Sequence, residues 1–170
     1  QTASSSSTID FTSNIDSTYD SYVFKFINIH PSSDGVNFTF NLSTDSGSNY
    51  NVTKTSTFFR ATHTEADSTG FFYTGGSDLA QSTSYQNLSH DGVGNGNDES
   101  FSGYLQIFNP SSSTFVKHFI ATSQFYYSDN ASYNTYIAGY GNTTNSVNAV
   151  SFKFASGNID SGDIKLYGIS

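Results

Sequence analysis

The sequence predicts an all-β protein, a jelly-roll-like β-sandwich of about ten antiparallel strands. In residues 36–43, the apolar side chains of Val36, Phe38, Phe40 and Leu42 alternate with polar ones. A period of two places one face of a strand in a core and the other in water. The same alternation recurs along most of the chain, and Gly, Asn, Asp and Ser clusters separate the alternating segments. This punctuation is typical of a sandwich or barrel rather than of βαβ units.

The predicted strands follow in chain order, each with alternating or ring-rich residues: 7–11, 21–29, 36–43, 50–60, 70–73, 84–89, 101–108, 114–127, 134–140, 147–154 and 163–169. Residues 31–35, with Pro31 and Gly35, are expected to join the second and third strands as a hairpin. Because terminal strands commonly pair in jelly rolls, we expect the first and last strands to pair. Residues 1–7 are Ser/Thr-rich and are predicted to be a linker, whereas residues 8–170 are predicted to form one domain.

Composition narrows the possible functions. Charged residues make up only 12% of the chain, and 31 Ser, 19 Thr and 16 Asn supply most of its polarity. The net charge of -8, with only 6 Lys and Arg, argues against nucleic-acid binding, and no long apolar segment predicts membrane insertion. There is no Cys, so disulfides and thiolate metal sites are excluded. There is also no Met, and we expect the chain to be a piece of a longer polypeptide.

The irregular segment 60–97 holds some of the densest polar chemistry. His63, Glu65 and Asp67 alternate, so they share one face of an extended strand and could ligate a metal, although a solvated strand end is the preferred interpretation. The loop 91–99 matches an EF-hand calcium loop at Asp91, Asn95 and Gly96 only, which favours a Gly/Asn-rich turn; the alternative is a calcium site of another type built partly from backbone carbonyls. We therefore predict no metal and no other cofactor.

Catalytic patterns are weak. No Gly-x-Ser-x-Gly segment occurs, and 31 Ser make chance proximity to one of four His expected. His118 is predicted to be a sheet histidine and His30 a turn residue. Glycosidase chemistry needs two placed carboxylates, and no pair stands out. We predict that the protein is not an enzyme.

The aromatic residues allow two interpretations. Exposed rings stack on sugars, and the candidates are Tyr73, Tyr85, Tyr126, Tyr127 and Tyr133. Alternatively, most rings belong to the core or to a subunit interface. The six Asn-x-Ser/Thr sequons decide nothing, because about five are expected by chance in this composition.

Three segments resemble a family of virion structural domains found in tailed bacteriophages, especially marine ones, often at the C-terminal end of tail-fibre-like or other appendage proteins. They are residues 8–29, residues 139–144 and residues 157–169, which end in Gly162-Asp-Ile-Lys-Leu-Tyr-Gly-Ile169. The resemblance implies a β-sandwich on the virion surface, a homotrimer that contacts other virion proteins, and a non-enzymatic role in attachment to the host surface or in decoration of the capsid.

The leading hypothesis is therefore a phage surface domain of jelly-roll type whose loops bind host glycans. Its predicted recognition residues are Arg60, His63, Glu65, Asp67, Tyr73, Asp78, His90, Asp91 and Asp98. The alternatives are a purely architectural capsid or tail decoration protein and, less favoured, a secreted carbohydrate-binding module or hydrolase. A glycan-binding domain and an architectural subunit differ in whether exposed rings bind sugar or are covered by neighbouring subunits.

Overall fold

The computed structural model describes residues 1–127 and 130–170, and within them it shows eleven antiparallel strands and no helix. The prediction of an all-β sandwich is confirmed. The strands are β1 (Ile9–Phe11), β2 (Ser21–Pro31), β3 (Phe38–Ser43), β4 (Lys54–Thr64), β5 (Thr69–Tyr73), β6 (Gln86–Asn87), β7 (Phe101–Phe108), β8 (Lys117–Tyr127), β9 (Ala131–Gly141), β10 (Ala149–Phe154) and β11 (Ile159–Ile169). The main difference from the sequence prediction is β4, which continues to Thr64 and so brings part of the irregular segment into the sheet.

The strands form two sheets. The smaller sheet has the order β1-β10-β3-β6, and the larger has the order β11-β2-β7-β8-β9-β4-β5. The predicted hairpin across residues 31–35 is wrong, because β2 and β3 lie in different sheets and the turn carries the chain between them. Both strands have an apolar face, and placing them in opposite sheets buries these faces against each other. The jelly-roll connectivity stays a prediction.

Phenylalanine rings from both sheets fill the space between them. Phe26 of β2 lies 5.4 Å from Phe38 of β3 and 5.2 Å from Phe152 of β10, and Phe38 lies 5.0 Å from Phe101 of β7. All four rings are buried. Each buried ring contributes about 1.5–3 kcal/mol through removal of apolar surface from water, so this cluster is a major source of stability.

The outward face of β3 is not in water, contrary to the sequence prediction. Every residue of β3 is buried, including Thr39, Asn41 and Ser43. A loop packs over this face, and the Asn41 amide donates to the carbonyls of Tyr50 (2.6 Å) and Thr83 (3.0 Å). Buried polar side chains need such partners, and the loops supply them.

The two ends of the chain meet at one edge of the larger sheet. Residues 1–6 lie along the start of β11, where Ala3 donates to the carbonyl of Gly162 (2.8 Å) and Ser6 to that of Ile159 (2.9 Å). The first strand itself, β1, pairs with β10, so the predicted pairing of the terminal strands is wrong. Residues 1–7, predicted to be a linker, thus cover the outer edge of β11 in this structure.

Two lysines are buried at one end of the sandwich, where both pair with Gly141 of β9. The Lys54 ammonium donates to Asn41 Oδ1 and to the Val52 carbonyl (2.8 Å). The Lys117 ammonium donates to the carbonyls of Ser112 (2.6 Å), Phe115 (2.7 Å) and Thr143. Burial lowers the pKa of Lys54 to about 7 and also lowers the pKa of Lys117, because a charge is costly away from water.

Candidate functional site

Three of the predicted recognition residues come together around Arg60. Its guanidinium pairs with Asp91 and lies between two rings, 5.3 Å from Phe72 and 5.0 Å from Tyr133. Asp91 also contacts His90, with 2.9 Å between Oδ1 and Nε2. The β4 strand positions Arg60, and the loop before β7 brings His90 and Asp91 to it. The cation–π contacts with Phe72 and Tyr133 hold the guanidinium on the sheet, and its ion pair with Asp91 ties the loop to the sheet.

The same cluster has the composition of a catalytic triad. His90 Nδ1 lies 2.7 Å from Ser77 Oγ, so Ser77, His90 and Asp91 form a continuous hydrogen-bonded chain. Burial lowers the pKa of His90; the Asp91 charge opposes this shift and the Arg60 charge adds to it. The Ser77 side chain is only 2% exposed, and its oxygen also accepts from the Asn87 amide (3.1 Å). A nucleophile must reach its substrate, and Ser77 is buried. The hydrogen bonds between Ser77, His90 and Asp91 therefore serve to hold the loop in place.

The remaining recognition residues of the β4–β5 hairpin lie apart from this cluster. His63 Nε2 contacts Asp67 Oδ1 at 3.1 Å, whereas Glu65 accepts from the Tyr126 hydroxyl at 3.3 Å. Across the part of the chain that the structure describes, no three His, Cys, Asp or Glu side chains are placed to hold a metal ion. On the other side of the hairpin, the Tyr73 hydroxyl donates to Asp78 (2.6 Å).

The loop 91–99 is a compact turn. Gly96 donates its amide to Glu99 and its carbonyl contacts His30 Nε2 at 3.1 Å. Gly92 has φ +113° and lies directly against the backbone of Gly35, where a side chain would not fit. Asp98 lines a small polar depression with His30 and Glu99. Burial raises the pKa of Tyr126, and the charges of Glu65, Asp98 and Glu99 raise it further, so this loop lies near the hairpin turn. The nine predicted recognition residues therefore form several small groups: Arg60 with His90 and Asp91, His63 with Asp67, Tyr73 with Asp78, and Glu65 and Asp98 near Tyr126.

A different surface stands out on the larger sheet. We use "outer face" for the outward side chains of the four strands β4, β7, β8 and β9. They are Thr55, Thr57, Phe59, Ala61, His63, Ser102, Tyr104, Gln106, Phe108, His118, Ile120, Thr122, Gln124, Tyr126, Ser132, Asn134, Tyr136, Ala138 and Tyr140. No Asp, Glu, Lys or Arg is among them. The outer face of these four strands is thus uncharged in a protein of net charge -8, and the exposed Lys25 of β2 borders it opposite Tyr104.

Aromatic rings form a row across the outer face. The register aligns Phe59, Tyr136, Thr122 and Tyr104 on adjacent strands. Phe59 and Tyr136 are stacked with centroids 5.1 Å apart, and Tyr104 is 41% exposed. Tyr104 and Tyr136 are two strand spacings apart, or about 10 Å.

A shallow depression of about 420 Å³ adjoins this row. Its floor is formed by the small residues Ala138 and Gly139 of β9, and its sides include Tyr140, Phe108 and His118. Small side chains between larger ones create a recess that a flat ring or a sugar could enter. Threonine hydroxyls at positions 55 and 57 supply hydrogen-bonding groups at its border.

Sequence reasoning placed recognition mainly in loops, and of the outer face it named His63 and Tyr126 alone. The signal was present in residues 117–127 and 131–141, where the even-numbered residues are outward, uncharged and often aromatic. Which face of a strand is covered by the second sheet cannot be read from alternation alone. Of the suggested sugar-binding tyrosines, Tyr133 proves to be buried beside Arg60.

Comparison of the chain with protein-family models, curated proteins and solved structures gives no match in any of the three. Residues 1–127 and 130–170 include no helix long and apolar enough to cross a membrane.

Proposed function

We propose that this protein is a non-enzymatic attachment domain that binds uncharged glycans through its outer face. We further propose that it acts on the surface of a bacteriophage virion, as the head of a tail fibre or other appendage. The observation that supports glycan binding is the uncharged outer face, with its row of rings flanked by hydroxyl and amide groups. The virion location is supported by the resemblance of the end segments.

Sugar recognition needs both kinds of group found there. Aromatic faces pack against the C–H groups of a pyranose ring, and hydroxyl or amide side chains bond its hydroxyl groups. Tyr104 and Tyr136 are separated by a distance comparable with that between alternate residues of an extended saccharide chain. Thr122 lies between them on the intervening strand and offers a hydroxyl group.

Charge selects the class of glycan. The outer face offers no Lys or Arg to pair with a sulfate or carboxylate, and the chain as a whole is acidic. Anionic saccharides would meet the repulsive field of an acidic chain, which Lys25 of β2, opposite Tyr104, and Lys165 of β11 offset at one side of the outer face. Neutral saccharides meet no such penalty.

The hairpin and loop residues are weaker candidates for the same role. Asp91 pairs with both Arg60 and His90, and the Tyr73 hydroxyl donates to Asp78. A ligand would have to displace these contacts. Tyr104 and Tyr136 of the outer face, by contrast, are 41% and 39% exposed, so their rings can receive a sugar.

A glycan array with neutral and anionic saccharides tests the proposal, followed by titration of the best neutral binder. Tyr136→Ala should weaken binding about tenfold or more, because stacking on one ring contributes roughly 1–1.5 kcal/mol or more. Tyr19→Ala is the control, since Tyr19 is 43% exposed and lies before β2, outside the four strands of the outer face. If Tyr73→Ala loses binding and Tyr136→Ala does not, the site is the hairpin; if no glycan binds, the proposed function fails.

An architectural role is the second candidate, and the same exposed rings favour it. An uncharged aromatic face is also typical of a subunit interface. In that case no glycan binds, and Tyr136→Ala lowers incorporation of the protein into particles. A virion-incorporation assay beside the glycan array separates the two functions.

A further inference from the structure

The two edges of the larger sheet differ in whether another segment of the chain covers them. Residues 1–6 cover the β11 edge with main-chain hydrogen bonds. At the other edge β5 is the last strand, and in the described residues it pairs with β4 alone. An open strand edge is a template for pairing with another strand, and proteins usually cover it or guard it with charge.

The β5 backbone has a defined free side. Thr74 donates to the Phe58 carbonyl (2.8 Å), and Thr64 donates to the Ser68 carbonyl (2.9 Å). Hydrogen-bonded pairs alternate in an antiparallel ladder, so Gly70 and Phe72 also bond inward to β4. The amides and carbonyls of Thr69, Phe71 and Tyr73 therefore point outward from the sheet.

The side chains of β5 carry no charge that would prevent another strand from pairing at this edge. Residues 69–76 contain no charged residue, in contrast to the charged edge strands by which most proteins prevent association. Phe71 is 69% exposed and Tyr73 is 62% exposed on one side of the strand, and Phe72 is exposed on the other. Apolar rings on both sides of an open edge are suited to a covered, and not to a solvated, strand.

We propose that β5 pairs with the β5 strand of a second copy of this chain, in an antiparallel arrangement with Phe71 on the two-fold axis. This register places Phe71 opposite Phe71 of the second copy and Thr69 opposite Tyr73. All three residues with outward backbone groups then form hydrogen-bonded pairs, and the two larger sheets become continuous.

The segments beside β5 fit the same register. Continuing the antiparallel count from Phe71 brings Asp67 of the hairpin turn opposite Gly75 of the second copy. Gly75 has no side chain, and a Cβ added there would meet no atom within 4 Å, so the turn meets no obstacle at this position. The acidic turns of the two copies lie at opposite ends of the contact, which limits their repulsion in a chain of net charge -8.

Self-pairing explains the open edge better than pairing with a strand of another protein. In the proposed register, the outward backbone groups of residues 69, 71 and 73 in each copy bond the same groups of the other copy. A closed two-fold interface also stops after two chains, since residues 1–6 cover the other edge of the larger sheet. The contact is small, and we expect a concentration-dependent dimer rather than a permanent one. A two-fold contact differs from the homotrimer that the phage resemblance implies.

Sedimentation velocity on the whole chain, from about 1 µM to about 1 mM, tests the proposal. The expected result is a shift from the 18.4 kDa chain toward twice that mass. Phe71→Asp, which sets two carboxylates opposite each other, should raise the dissociation constant about tenfold or more. Phe115→Asp is the control, because Phe115 is 67% exposed in a loop far along the chain, and it should dimerise like the unaltered protein.

Single cysteines test the register, since the chain has no Cys of its own. Phe71→Cys should form a disulfide-linked dimer under mild oxidation, whereas Thr69→Cys should not, because its own copy lies four residues away along the partner strand. A monomer at every concentration, a mass of three chains, an unaffected Phe71→Asp variant or equal cross-linking of both cysteine variants would each overturn the proposal. None of these readouts involves glycan, so they are independent of the proposed function.

Discussion

The buried ammonium of Lys54 makes the stability of this protein depend on pH above neutrality. Lys54 has no exposed surface, and its hydrogen-bond partners in the structure are neutral oxygens. Burial lowers its pKa from 10.5 to about 7. In the unfolded chain the lysine regains its ordinary pKa, so between pH 7 and 10.5 the unfolded state binds more protons than the folded state.

The sign follows from this difference in proton binding. The free energy of unfolding rises with pH from about 7 upward and is reduced again as the pH falls toward 7 and the buried amine takes up its charge. With 1.36 kcal/mol per pKa unit, the full effect is at most about 5 kcal/mol, of which about 2 kcal/mol develops between pH 7 and 9. Above pH 10 tyrosine ionisation opposes it, because burial raises the pKa of Tyr50 to about 12 and folded-state stability is lost as unfolded tyrosines ionise.

Lys54→Met isolates the contribution of this one amine. Urea unfolding at pH 7, 8 and 9 should show the unfolding free energy rising more steeply in the unaltered protein than in the variant, by about 1 kcal/mol per pH unit. Lys117 adds a slope of the same sign to both proteins, because burial also lowers its pKa. The exposed Lys165→Met is the control and should keep the original slope. Equal slopes in the unaltered protein and Lys54→Met would refute the reasoning, whatever the variant's absolute stability.

Two further predictions concern the core and the surface turns. Phe152→Ala removes a ring at the centre of the sandwich and should lower the unfolding free energy by about 3–5 kcal/mol in urea titration, whereas exposed Phe115→Ala should change it by less than about 0.5 kcal/mol; similar losses in both would contradict the described core. Hydrogen bonds from Ser43 and Asn49 lower the pKa of Asp45 to about 2, so its carboxylate stabilises the folded state above pH 4 and this stabilisation is lost as the pH falls toward 2. Asp45→Asn should therefore flatten the acid limb of a melting-temperature profile between pH 5 and about 2, and an unchanged limb would exclude this role.

Local pattern was sufficient to predict the strands. In β8, the buried residues Phe119, Ala121 and Phe125 alternate with exposed ones, and period-two alternation reports this arrangement directly. The end of β4 was missed because Ala61, Thr62 and Thr64 are neither strongly apolar nor strictly alternating. Those residues are held in the sheet by pairing with β5 and β9, which is a non-local interaction.

Pairing between strands could not be predicted in the same way. Residues 31–35 have turn composition whether the next strand returns to the same sheet or crosses to the other. The chain crosses to the other sheet because this buries Phe24 and Phe26 of β2 against Phe38 and Phe40 of β3. The free energy gained by this burial depends on both sheets together. Likewise Asn41 has the composition of a solvated position, and only the loop that packs over it supplies its buried partners.

The candidate site illustrates the difference between a residue's chemistry and its availability. Arg60, His90 and Asp91 are residue types that bind ligands, and the sequence marked them correctly as a dense polar group. In the folded protein Asp91 pairs with both Arg60 and His90 and ties a loop to the sheet, so a ligand would have to compete with these contacts. Tyr104 and Tyr136 carry no such signal individually, because an alternating tyrosine has the same local pattern whether it is buried or exposed.

The outer face and the β5 edge are connected through the same row of rings. Phe71 of β5 lies 5.5 Å from Phe59, which stacks on Tyr136. Pairing of two β5 strands would therefore join the rows of two chains into one longer aromatic surface across a continuous sheet. Two linked sites raise the apparent affinity for a polymeric ligand through effective concentration, without any new contact to the sugar. A domain that binds each neutral saccharide weakly could thus hold a polysaccharide firmly, and Phe71→Asp should reduce binding to the polymer while leaving binding to a short oligosaccharide unchanged.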